Sequence, residues 1–165
     1  MTAQAARAPA LIRNIRVSRV FDAAADLVFR MWTEPRHMAR WWGPQGFTNP
    51  VCELDVRPGG AIRIDMRAPS GLLYRLTGTF REIVPPERLV FTAFAEDPRG
   101  NALLDEVLTV TFAAEGNKTR VTVHAAAVGL APAAEPVLAG METSWRQSLE
   151  RLAVAATPTS DFEPQ

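Results

Sequence analysis

Residues 78–92 read Gly78-Thr79-Phe80-Arg81-Glu82-Ile83-Val84-Pro85-Pro86-Glu87-Arg88-Leu89-Val90-Phe91-Thr92, two β-forming runs parted by a proline pair. Before the prolines, Tyr74, Leu76, Gly78 and Phe80 alternate with Arg75, Thr77, Thr79 and Arg81. That period of two belongs to a half-buried strand. The gap between the runs is too short for a crossover helix, so they must pair antiparallel. The same grammar extends in both directions. Pro58-Gly59, Ser70-Gly71, Pro98-Arg99-Gly100 and Glu115-Gly116-Asn117 are further turn signals. From Gly59 to Gly71, Pro85, Gly100 and Gly116 the spacings are 12, 14, 15 and 16 residues. Six strands are predicted near 51–57, 60–67, 72–83, 88–95, 103–113 and 118–126, all rich in Val, Ile, Leu, Thr and Phe.

Upstream, Ile15–Phe21 reads as a further strand. Asp22 is placed to cap a helix over 24–32, whose Leu27, Val28, Met31 and Trp32 fall at helical spacing. Thr33 can cap a second, short helix with Pro35 in its first turn, stopped near Trp42 by Gly43-Pro44. Downstream, a long helix is predicted from about Ala133 to Ala155. Leu138, Met141, Trp145, Leu149, Leu152 and Ala156 recur at steps of 3, 4, 4, 3 and 4, an unbroken apolar stripe. The reading is of one α+β domain over 15–156, between flexible tails at 1–14 and 157–165. An antiparallel sheet must bury one face and an amphipathic helix one stripe, so the helix packs across the sheet. A long meander twists and curls. A curled sheet cannot follow a straight helix along its length, and the gap is either filled by large side chains or left as a cavity.

Composition narrows the function. The 165 residues suit a single domain, and 47% hydrophobic with 22% charged residues is the balance of a globular chain. Eighteen basic and eighteen acidic residues cancel, which removes the electrostatic footprint of a nucleic-acid binder. The one cysteine, Cys52, excludes an intrachain disulfide and reads as a small buried hydrophobe. The two histidines, His37 and His124, stand far apart, so no zinc helix is formed, and no metal or cofactor is expected. Pro58-Gly59-Gly60 reads as a hairpin turn rather than a phosphate loop. No run reaches the length of a membrane span or a signal-peptide core, and a cytoplasmic location is expected.

Trp41-Trp42-Gly43-Pro44, Pro58-Gly59-Gly60 and the 78–92 string together resemble the bacterial proteins similar to the C-terminal domain of the activator of the heat-shock chaperone ATPase. These belong to the START-like superfamily (SRPBCC, birch-pollen-allergen-like). The resemblance spans about 15–156. It implies a helix-grip fold of order β-α-α-β6-α, with a seven-stranded curved antiparallel sheet wrapped around a long C-terminal helix. It also implies an internal apolar pocket between sheet and helix, a link to stress response, and a chaperone as one partner.

The candidate ligand-binding residues are Trp41, Trp42, Phe47, Tyr74, Phe91, Glu106, Leu108, Met141, Trp145 and Leu149. The tryptophans offer flat apolar walls with an N–H handle, or else serve as core anchors. Since Trp41 and Trp42 are adjacent on a helix, one is expected to face the interior and the other a rim or loop. Glu106 falls in register with Leu104, Leu108, Val110 and Phe112, on the apolar side of its strand. It is either a ligand-orienting acid with a perturbed pKa or a strand-end group that reaches solvent. Tyr74, the only tyrosine, either presents its hydroxyl to a ligand or simply packs. Gly78 marks a bend or a close approach, where a helix is expected to rest. Arg63, Asp65 and Arg67 read as a solvated face.

Three functions compete. The first is non-catalytic binding of an apolar small molecule or lipid. The second is a cyclase- or dehydratase-type enzyme acting on a polyketide-like substrate, which needs Glu106 and Tyr74 at one site. The third is co-chaperone regulation of a heat-shock chaperone ATPase. A homodimer is a further partner the chain admits.

Overall fold

The Pro85-Pro86 turn joins β4 (Leu73–Val84) to β5 (Arg88–Glu96), paired antiparallel with Phe80 opposite Phe91. The structure, a computed structural model, describes residues 11–156. Around the central hairpin stand β1 (Leu11–Phe21), β2 (Thr48–Leu54), β3 (Ala61–Arg67), β6 (Ala102–Glu115) and β7 (Lys118–Gly129). They form one seven-stranded antiparallel sheet of order β1-β7-β6-β5-β4-β3-β2. Two helices, α1 (Ala25–Thr33) and α2 (Pro35–Trp41), lie between β1 and β2; α3 (Ala134–Ala139) and α4 (Met141–Ala156) follow β7. The architecture is the helix-grip α+β fold. Register shifts between Thr48 and Val51, Phe80 and Glu82, and Ala95 and Glu96 let the sheet coil into a bowl. Pro50 is tolerated because β2 is an edge strand.

Several local expectations are corrected. The first strand starts at Leu11, not Ile15: Leu11–Asn14 pair with Ala126–Gly129, so these four residues belong to the sheet and not to a tail. The expectations for 1–10 and 157–165 lie outside the described residues. Neither Asp22 nor Thr33 caps a helix. The N-caps are Ala24 and Glu34, without side-chain hydrogen bonds, and the Thr33 hydroxyl donates back to the Phe29 carbonyl at 3.2 Å. The C-terminal helix is two helices broken at Gly140. The carbonyls of Leu138 and Ala139 accept from the Arg13 guanidinium of β1 at 3.0 and 3.1 Å, which ties the break to the sheet. Even so, every residue of the predicted stripe is buried, because the break barely turns the face. Asp65 is buried rather than solvated, held by Arg63 at 3.1 Å and Arg75 at 3.4 Å. Those two guanidiniums keep its pKa below the ordinary carboxylate value, Arg63 contributing most.

Gly78 approaches a strand, not a helix. A Cβ there would sit 1.9 Å from the Thr92 carbonyl oxygen of β5, and the Thr79 amide donates to the Thr92 hydroxyl at 3.0 Å. The coil of the sheet at this point is therefore open only to glycine. Gly78→Ala is expected to lower unfolding free energy by about 2 kcal/mol or more. Gly140→Ala, whose Cβ meets nothing nearer than 3.5 Å, is expected to be neutral or slightly stabilising. Urea unfolding of the two variants beside the parent protein checks both.

Candidate functional site: a cavity under the C-terminal helix

The inward faces of the strands taper. Along β5 they run Leu89, Phe91, Ala93, Ala95; along β7 they run Val121, Val123, Ala125, Ala127. At the large end the bowl is plugged. Trp32 of α1, fully buried, stacks on Trp145 of α4 (centroids 6.0 Å, interplanar 8°) and meets Trp41 edge-on at 4.6 Å and Phe112 at 6.0 Å. At the small end the same helix stands off the sheet. What remains there is a cavity of about 400 Å³, walled by Leu76, Ala95, Leu104 and Glu106 from the strands, by Met141, Ser144 and Trp145 from α4, and by Trp42 and Phe47 from the loop after α2. Val137 of α3, 41% exposed, stands at its rim.

Six of the ten candidate residues line this space: Trp42, Phe47, Tyr74, Glu106, Met141 and Trp145. The other four do not. Phe91 packs on Phe80 and Trp42, Leu108 and Leu149 are buried in the core, and Trp41 is sealed with its Nε1 donating to the Met31 carbonyl at 2.8 Å. Trp41 and Trp42 are both buried, against the expectation that one would face a rim or loop. The reason is that α2 ends at Trp41. Trp42 has extended backbone (φ −63°, ψ 131°), so the rule for adjacent helical residues no longer applies. Trp145 is at once an anchor, stacked on Trp32, and a wall, edge-on to Trp42 at 5.5 Å.

Glu106 is the one ionisable acid on the wall, and it points inward rather than to solvent. Its strand neighbours in register are Ala93 on β5 and Ala127 on β7, neither of which offers a hydrogen bond. Its Oε1 is buried without a protein partner. Burial, aided by the charge of Asp105, pushes its pKa up to about 7. The indole Nε1 of Trp42 is likewise buried and unpartnered. The Ser148 hydroxyl is spent on the Ser144 carbonyl at 3.0 Å.

The loop that carries Trp42 and Phe47 is fastened by a residue not singled out from the sequence. Arg151 of α4 donates through Nη1 to the carbonyls of Trp42, Gly43 and Pro44 (3.1, 2.9 and 3.0 Å). Through Nη2 it donates to those of Arg40 and Phe47 (3.1 and 2.9 Å). Asn49 adds bonds to the Ala39 and Trp42 carbonyls, and Gln147 accepts from the Gln45 amide. The only sequence signal for Arg151 is an arginine one position from the buried Leu152.

His124 is exposed on the outer face, and His37 pairs with Glu34 at 3.2 Å. The Cys52 thiol is pushed up to about 11 by burial and by Glu53, so it is no nucleophile at neutral pH. Among the described residues no cluster of three or more metal-ligating side chains occurs, and no helix is long and apolar enough to cross a membrane.

The profile of a protein family, "Activator of Hsp90 ATPase homolog 1-like protein", matches residues 22–157. The chain belongs to this family. Solved structures agree on the fold. An uncharacterised protein of Rhizobium leguminosarum superposes with TM-score 0.78 at 24% identity, over 90% of this chain and 96% of its own. A protein of Chromobacterium violaceum gives 0.72 at 29% identity, over 88% and 98%. The AHSA1 protein of Silicibacter pomeroyi gives 0.70 at 21% identity, over 86% and 96%. No curated protein matches the chain. The matched region of this family member contains every lining residue of the cavity.

Two expectations follow. An acid whose folded pKa is raised binds more protons folded than unfolded, so it costs stability as pH rises from its unfolded value of 4.5 through about 7. Glu106→Gln should therefore match the parent near pH 4.5 and exceed it by on the order of 3 kcal/mol above pH 7, in urea unfolding across that range. Arg151→Ala should lose about 2–3 kcal/mol, and Arg151→Lys should recover little, since an ammonium cannot fork to five carbonyls. Hydrogen exchange at residues 42–47 should rise in both variants.

Proposed function

We propose that this protein binds a small, largely apolar molecule in the cavity under α4, without transforming it. The observation that carries the reading is a space of about 400 Å³ lined mainly by apolar side chains and interrupted by one carboxyl group. That is within the size and character of small-molecule sites, which are concave, apolar and marked by few polar groups. At interior packing density it would admit roughly 300 Å³ of ligand. Membership in the family supports a binding or regulatory role at this coarse level.

One observation favours a second reading, acid–base chemistry on the bound molecule. Glu106, poised near neutrality, and Tyr74 line the same cavity. That reading requires turnover that disappears in Glu106→Gln while binding survives.

For the binding reading, native mass spectrometry of freshly purified protein is expected to show a co-purified small molecule. Ala95→Phe, which places a ring in the cavity, should abolish that extra mass while circular dichroism stays unchanged. Equal retention by parent and variant would remove the cavity from the account.

A further inference from the structure

We infer that the cavity selects apolar molecules bearing a hydrogen-bond donor, a hydroxyl or an amine, and rejects those whose polar end is a carboxylate. This rests on the binding reading above and names its ligand class. Two features of the wall carry it. No arginine, lysine or histidine lines the cavity. The guanidiniums that bond to the elements forming its roof and side wall are already occupied with backbone: Arg151 with five carbonyls of residues 40–47, and Arg13 with the carbonyls of Leu138 and Ala139. An anionic head would therefore enter an apolar space with no counter-charge to offset its lost hydration.

The second feature is Glu106. Its carboxyl group stands on the cavity wall with Ala93 and Ala127 beside it in register, and its Oε1 lacks a protein partner. A carboxyl group in this setting is completed by a donor brought into the cavity. Ionised, Glu106 repels a second carboxylate; the exposed Asp105 next to it adds to that repulsion. A hydroxyl or a protonated amine on the ligand answers Glu106 directly.

The test uses three probes of matched chain, 1-decanol, decylamine and decanoate, titrated calorimetrically into the full-length protein at about pH 8. Decanol or decylamine is expected to bind at least about tenfold tighter than decanoate. Glu106→Gln is expected to narrow that gap, by improving decanoate and weakening decylamine. If decylamine leads and loses its lead in Glu106→Gln, the natural donor is an amine; if decanol leads, it is a hydroxyl. Decanoate binding as tightly as the others overturns the inference and leaves the binding reading standing. A gap that Glu106→Gln leaves unchanged overturns the role of Glu106 and with it the inference. No binding by any probe, with Ala95→Phe indistinguishable from the parent, overturns the binding reading itself. Should Glu106→Gln not fold, the parent protein titrated at about pH 6 answers the same question, since protonation removes the charge, and a gap that fails to shrink there counts against the inference.

Discussion

A straight helix laid over a coiled sheet touches it well at only one end, and the stack of Trp32 on Trp145 fixes which end that is. Trp145 projects from α4 and Trp32 from α1, so the contact joins the C-terminal helix to the helical insertion between β1 and β2. Trp41 and Phe112 close on Trp32 from other sides. Aromatic pairs of this kind contribute about 0.5–1.5 kcal/mol each beyond the area they bury. With α4 pinned there, beside β1 and α2, the turn that precedes Trp145 stands away from β4–β6. The cavity is the geometric remainder of that pinning. The small side chain of Ala95 on its wall keeps it from being filled from below.

The cavity wall needs a second fastening, because one side of it is loop. Trp42-Gly43-Pro44 has no strand partner to hold it, and its carbonyls point toward α4. A guanidinium answers that need better than an ammonium, since its planar fork meets several acceptors with one side chain. Arg151 reaches all of them from the C-terminal half of the same helix whose N-terminal half roofs the cavity. Roof and side wall are thereby one mechanical unit. A motion of α4 relative to the sheet would carry Trp42 and Phe47 with it.

The order of elements was legible from turn spacing and from two periods of hydrophobicity, since hairpin connections leave antiparallel pairing as the only option. The shape argument left two outcomes open, a gap filled by large side chains or a cavity, and Glu106 was legible as a polar residue on the apolar side of its strand. Other parts were not. Leu108 and Leu149 share the inward phase of Glu106 and Met141, and phase alone does not say how deep along a strand or helix the packing becomes solid. That depth is set by the taper from Phe91 to Ala95 and from Val121 to Ala127, a pattern visible in the letters only when neighbouring strands are aligned. Arg151 was invisible for a different reason: its partners are backbone carbonyls, which every sequence possesses. The carbonyls freed at the Gly140 break are met likewise from Arg13, more than a hundred residues away in the chain.

Glu106 separates fold from function most sharply. A carboxyl group between two alanines on an apolar wall brings no stabilising contact, and its burial works against the folded state as soon as it ionises. Asp65, by contrast, is a buried acid with two guanidiniums around it, and its depressed pKa is that of a group the fold has satisfied. The two acids sit on the same sheet, one facing outward under its partners and the other facing an open space. Packing alone would favour an apolar residue at position 106, as at 104 and 108 on the same strand. A group that costs stability where it stands, and that lines the cavity, is not accounted for by its packing, and the binding proposed for that cavity is what gives it a role.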